Sequence, residues 1–68
     1  MEKIDFLFLE YYIQKRYGKK VEEYFKIGKQ SVSDWRISNK VPDKRLLEFH
    51  LEEGTIDPKK LFEKIYPD

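Results

Sequence analysis

Between Phe25 and Pro42 the chain reads FKIGKQSVSDWRISNKVP. Lys29, Gln30, Ser33 and Asp34 are spaced so that a helix would carry all four on one side. Their chemistry is recognition rather than bond-making. A Gln amide offers a donor and an acceptor side by side and can grip the N6 and N7 edge of adenine. Lys reaches guanine O6 and N7 or a phosphate, Ser suits either, and Asp can accept from cytosine N4. Each well-formed two-pronged pair discriminates between bases by about 1–3 kcal/mol. Asp34 also has a plainer reading, as the partner of a nearby Lys or Arg. These residues are expected to face outward, with Ser31 and Ile37.

Three apolar residues stand among these polar ones. Val32 and Trp35, three apart, fall on the opposite side of the same helix, and Ile27 precedes it. Ile27, Val32 and Trp35 therefore read as structural anchors, with Trp35 a core residue rather than a base-stacking platform. Gly28, lacking a side chain, leaves the first N–H groups of the helix open to a phosphate. Around this stretch the charge is segregated. The net charge is +1 overall, but residues 15–45 carry +6 and the flanks are acidic. Such a distribution points to a polyanionic partner. Lys19, Lys20, Lys26, Arg36, Lys40 and Lys44 are the expected phosphate contacts, with Gly28.

Other chemistries are poorly supplied. With no Cys and one His, neither a disulfide nor a thiolate or His-rich metal site is expected, and no cofactor. Glu22, Glu23, Glu48, Glu52 and Glu53 are expected on solvated helix faces rather than as catalytic pairs, and His50 as a partly buried packing residue. No enzyme and no small-molecule substrate are expected. Met1–Leu9 carries Glu2, Lys3 and Asp5, unlike a signal peptide, and no apolar run approaches the roughly 20 residues of a membrane span. A cytoplasmic location fits this composition.

The elements that would position the central residues read as helices. Residues 3–17 form the first, with Ile4, Leu7, Phe8, Tyr11 and Lys15 on one side and Phe6, Leu9, Ile13 and Tyr17 on another; a strand stays open for Ile4–Leu9. Gly18 ends it. Lys19–Phe25 is a short second helix, Lys26–Gly28 a break, and Lys29–Ile37 a third helix. Together these make a helix-turn-helix over about 19–37. Pro42 opens a fourth helix as its first residue, with Leu46, Leu47, Phe49, His50 and Leu51 as its apolar surface, and Gly54 stops it. Asp57 caps a fifth, Pro58 begins it, and Leu61, Phe62, Ile65 and Tyr66 are its buried set. The expectation is one domain over residues 1–68, all-α, five short helices around one core.

At this point the residues resemble a known family. KIGKQSVSDWRISNKVP, followed by RLLEFHLEEG, resembles the helix-turn-helix domain of phage repressors and Cro-like regulators. The matching positions are Ile27, Gly28, Ser31, Val32, Ser33, Trp35, Val41 and Pro42, and LEEGTIDPKKL is similar to the family's run into its last helix. The likeness spans about Val21 to Leu61. It implies a lambda-repressor-like DNA-binding domain with a central helix-turn-helix, acting in a bacterial cell or phage-infected host. Operator binding by a transcriptional regulator, usually as a dimer, is implied with it, in a Cro-sized protein or the DNA-binding part of a larger one. It also implies base contacts at Lys29, Gln30, Ser33 and Asp34 and phosphate contacts at Gly28 and Ser31. The chain departs from the pattern at Glu22, where the family has a small Ala, and at Gly18-Lys19-Lys20, where the family starts its second helix with Gln.

Two further expectations concern partners. Five Tyr, five Phe and one Trp exceed what one small core hides. Tyr11, Tyr12, Tyr17, Phe62 and Tyr66 could form a twofold interface between protomers, or pack the first and fifth helices together within one. The main partner expected is double-stranded DNA. The alternative is a helical protein-interaction module, antitoxin-like or adaptor, whose basic face takes an acidic protein.

Overall fold

The computed structural model describes residues 4–67. The chain is all-α: α1 (Phe6–Tyr17), α2 (Val21–Phe25), α3 (Lys29–Ser38), α4 (Asp43–Glu53) and α5 (Pro58–Ile65), with no strand among the described residues.

Local chemistry sets each boundary. Asp5 accepts a hydrogen bond from the Phe8 N–H at 2.9 Å, so α1 begins at Phe6, later than the expected 3–17; Lys3 lies outside the described residues. That cap closes the strand alternative for Ile4–Leu9. Gly18 ends α1 in the left-handed region at φ 66°, its N–H bonded to the Gln14 carbonyl. The second helix starts at Val21 rather than Lys19, because the Glu23 carboxylate folds back to accept the Lys20 N–H at 3.0 Å. α3 starts at Lys29 as expected and runs one residue beyond Ile37, where the Ser38 hydroxyl donates to the Asp34 carbonyl. Pro42 is the residue before α4 rather than its first member: its ψ of 143° is extended, while its carbonyl accepts the Leu46 N–H. Asp57 caps α5 and Pro58 begins it, as expected.

The core draws on every helix. Phe6, Leu9, Tyr12 and Ile13 of α1 meet Val21 of α2, Val32 and Trp35 of α3, Leu46 and Phe49 of α4 and Leu61 of α5, with Val41 and Ile56 from the connections. This corrects the expected faces. In α1 the buried stripe runs through Tyr12, while Leu7 and Tyr11 stand exposed. On α4, Leu47 and Leu51 face solvent, because the stripe Leu46–Phe49–Glu53 is the one turned inward. In α5 only Leu61 is fully buried; Ile65 is half-buried, and Phe62 and Tyr66 are exposed.

Glu53, expected on a solvated face, is 5% exposed. Its carboxylate accepts from the Tyr12 hydroxyl at 2.5 Å, from the Tyr17 hydroxyl, and from the Tyr24 hydroxyl at 3.4 Å. Arg16 Nε sits 3.3 Å away. The Glu53 carbonyl also accepts from the Lys64 ammonium. One residue of α4 thus holds α1, α2 and α5. Such a group is tolerated inside only because its lone pairs are filled. Burial pushes the Tyr12, Tyr17 and Tyr24 phenols above their ordinary range. The Glu53 charge then raises all three further, chiefly by the hydrogen bond it accepts for Tyr12 and Tyr17 and by Coulomb repulsion of a phenolate for Tyr24. Arg16 is also raised, first by its bond to the Tyr17 hydroxyl.

Two outcomes follow from this knot. Glu53→Ala leaves the buried Tyr12 hydroxyl without an acceptor and should cost about 2–4 kcal/mol in urea unfolding. The phenols also set a pH window. Their folded pKa values lie above the unfolded value near 10, so folding favours the protonated form. The associated stability is complete below about pH 10 and is lost as pH rises through the folded values. Denaturation midpoints measured from pH 8 to 12 should fall only at the alkaline end, together with a delayed tyrosinate absorbance.

Candidate nucleic-acid interface

α3 is fastened on three sides. Val32 and Trp35 are buried beneath it, and the indole meets Phe25 of α2 edge-on with ring centroids 5.8 Å apart. Ile27 is half-buried and packs against the same core. These positions agree with the anchoring roles expected of Ile27, Val32 and Trp35. Toward α1, the Arg36 guanidinium donates to Glu10 Oε2 at 2.7 Å and lies 5.3 Å from the Phe6 ring centre. At the far end Asn39, in the left-handed region at φ 52°, accepts from the Leu7 N–H at 3.1 Å and donates to Asp5 Oδ2 at 3.3 Å. A residue that reads as loop in sequence therefore helps cap α1 and ties it to the end of α3. Glu10 was likewise not singled out in the sequence, since its partner lies 26 residues away.

With its inner side fixed, α3 turns a polar side outward. Lys29, Gln30, Ser31 and Asp34 are exposed, Ser33 is half-buried, and Ile37 is 83% exposed. Gln30 Nε2 donates to Asp34 Oδ1 at 3.2 Å. Among the described residues the side-chain partner of Asp34 is thus the amide one turn before it rather than a Lys or Arg.

The expected phosphate contacts separate into groups. Lys19, Lys20, Lys29 and Arg36 line one open cleft of about 790 Å³ between the end of α1 and the start of α3, together with Ser33. Glu10, Glu22 and Glu23 share that cleft, so its charge is mixed. Glu22, where the resembled family has Ala, is half-buried beside the fully buried Val21. Lys26 lines a second hollow that Lys19 also borders, with Arg45 and the carboxylates Glu23, Glu48 and Glu52. Lys40 and Lys44 are exposed on the connection to α4 and its first turn. Arg36 is engaged by Glu10. That pair is exposed, and a pair of this kind contributes roughly 0–1 kcal/mol, so a phosphate can displace the carboxylate. Gly28 sits just before α3 at φ −73°, and a Cβ built on it meets open space. Neither packing nor backbone angle demands glycine there.

The aromatic set divides as well. Tyr12 is fully buried and bonded to Glu53, so it forms no surface for a second protomer. Tyr17 directs its hydroxyl to Glu53, as Tyr12 does, and its ring to Tyr24. Tyr11, Phe62 and Tyr66 do come together: the Tyr11 and Tyr66 hydroxyls touch, and the Phe62 and Tyr66 ring centroids are 4.8 Å apart. The Tyr66 hydroxyl raises the Tyr11 pKa. Among the described residues no helix is long and apolar enough to cross a membrane, and no group of three His, Cys, Asp or Glu side chains could hold a metal ion.

No family model matches the chain, and no curated protein or solved structure matches it either.

Proposed function

We propose that the chain binds double-stranded DNA sequence-specifically and acts as a small transcriptional regulator of the phage-repressor and Cro-like kind, occupying an operator through the major groove. The observation that carries this reading is the two-sidedness of α3. Its inner face is buried by Val32 and Trp35, while Lys29, Gln30, Ser31 and Asp34 remain exposed. Ten residues give a rod about 15 Å long, and the major groove, about 12 Å wide, admits a helix. Lys19, Lys20 and Lys29 gather beside it, where a phosphate strand would run. Phe62 and Tyr66, with Tyr11, which also lines the cleft of Lys19 and Lys20, are the exposed aromatics that would face a second copy of the chain; a twofold pair reading two half-sites needs its α3 helices about 34 Å apart, one turn of DNA.

Selection from random duplexes tests the reading. A single enriched motif is expected, palindromic if the chain binds as a dimer, with affinity falling steeply as salt rises. No enrichment would favour the other class of function, an interaction module whose basic face takes an acidic protein. Two substitutions should then behave differently on the selected duplex. Gln30→Ala should relax preference at one base position, whereas Lys20→Ala should weaken binding to all duplexes about equally and flatten the salt dependence. Identical behaviour would contradict the assignment of reading and anchoring residues.

Gly28→Asp separates stability from binding. A carboxylate before α3 would cap its open N–H groups and add about 0.5–1 kcal/mol of stability. The same carboxylate would repel a phosphate, so duplex affinity should fall as the unfolding midpoint rises. Unchanged affinity would remove Gly28 from the phosphate contacts.

A further inference from the structure

On the exposed side of α3 the bond from Gln30 to Asp34 spans one helical turn. A carboxylate at neutral pH only accepts hydrogen bonds, so the nitrogen end of the Gln30 amide must be the end that faces Asp34. This removes the two-fold ambiguity of the amide. We propose that Asp34 is a positioning residue that holds the Gln30 amide in the orientation that reads adenine, and that it does so at the expense of affinity for DNA in general. The proposal rests on the DNA-binding reading above and adds to it the base at one operator position and the source of its specificity.

The chemistry is specific. The amide nitrogen of Gln carries two hydrogens. On this proposal the one on the Cγ side serves Asp34, one turn further along the helix. The other lies beside Oε1 and forms with it a donor and an acceptor in a row. Adenine presents the complement in the major groove, N7 as acceptor and N6 as donor. Guanine presents two acceptors, N7 and O6, and would set O6 against Oε1. A freely turning Gln could adapt to other edges; one held by Asp34 cannot without breaking that bond. Holding the side chain beforehand also lowers the entropy lost on binding, which is large for Gln.

The carboxylate has a second effect of opposite sign. Asp34 is a negative charge on the face that meets a polyanion. Its repulsion acts on every duplex alike, whatever the sequence. Specificity and affinity are therefore expected to move in opposite directions when Asp34 is replaced, which a merely structural role would not produce. Asp34 is exposed, and the hydrogen bond from Ser38 goes to its backbone carbonyl, so replacement leaves the helix end intact.

The test uses the full chain with the selected duplex and with duplexes changed one base pair at a time, read by fluorescence anisotropy at fixed salt. Gln30→Ala identifies the position that Gln30 reads. Asp34→Ala should bind all duplexes more tightly, by a few-fold, yet lose about 5- to 10-fold of the preference for adenine at that same position. Asp34→Asn keeps a carbonyl acceptor without the charge; it should gain the same general affinity and retain most of the preference. In the free protein, the side-chain amide resonances of Gln30 should shift in Asp34→Ala. The proposal is overturned if Asp34→Ala leaves adenine preference at the Gln30 position intact. It is equally overturned if the lost preference falls at a neighbouring position and is for cytosine, which would make Asp34 itself the reader. Absence of binding to any duplex by the unmodified chain would instead sink the DNA-binding reading on which the proposal stands.

Discussion

A single buried carboxylate organises this domain. Glu53 lies inside with the Tyr12, Tyr17 and Tyr24 hydroxyls donating to it, and Lys64 bonds its carbonyl. A carboxylate that has left water must have its oxygens satisfied, and here the partners come from two different helices while the backbone takes a third. The requirement fixes how far α4 can move relative to α1, α2 and α5. From the knot an unbroken path of ring contacts leads outward: Tyr12 against Phe49, Phe49 against Tyr24, Tyr24 against Phe25, and Phe25 against Trp35. α3 therefore sits on a floor whose position is set by the same carboxylate.

The consequence for α3 is that its inner and outer sides are governed by different physics. Inside, Val32 and Trp35 are held by packing, with Arg36 and Asn39 adding polar ties to α1. Outside, Lys29, Gln30, Ser31 and Asp34 are polar and exposed, with the Gln30–Asp34 bond between two of them and the apolar Ile37 exposed beyond. A chain of 68 residues has a total stability of only about 3–10 kcal/mol, at roughly 0.05–0.15 kcal/mol per residue. That it commits an indole, a valine and three polar ties to one ten-residue helix is economical only if the orientation of that helix matters. On the proposed reading, that asymmetry is what presents α3 to a duplex groove.

Much of the framework was legible in the residues. Gly18, Gly54, and the Asp57–Pro58 pair mark helix ends by backbone chemistry that needs no tertiary context. Val32 and Trp35 were legible because a three-residue spacing between polar neighbours admits one inward face. What escaped depended on partners distant in the chain. Asn39 looks like any loop residue until Asp5 and the Leu7 N–H are beside it, more than 30 residues away in sequence. Glu53 is more instructive, since its spacing from Leu46 and Phe49 places it on the buried stripe of α4; its charge, not its position, argued for solvent. Tyr12 was misplaced for the converse reason. An aromatic with a polar end suits either an interface or a core, and only the buried acceptor decides for the core. Leu47 and Leu51 are exposed because α4 has one inner stripe and Glu53 shares it.

The most direct test of the account is an amide chemical-shift titration of the labelled chain with a duplex recovered by selection. Perturbations concentrated at Lys29, Gln30, Ser33 and Asp34, with smaller ones at Lys19 and Lys20 and none at Leu47 or Leu51, are the predicted result. Shifts gathered on α4, with the outer side of α3 unchanged at saturating DNA, would contradict it.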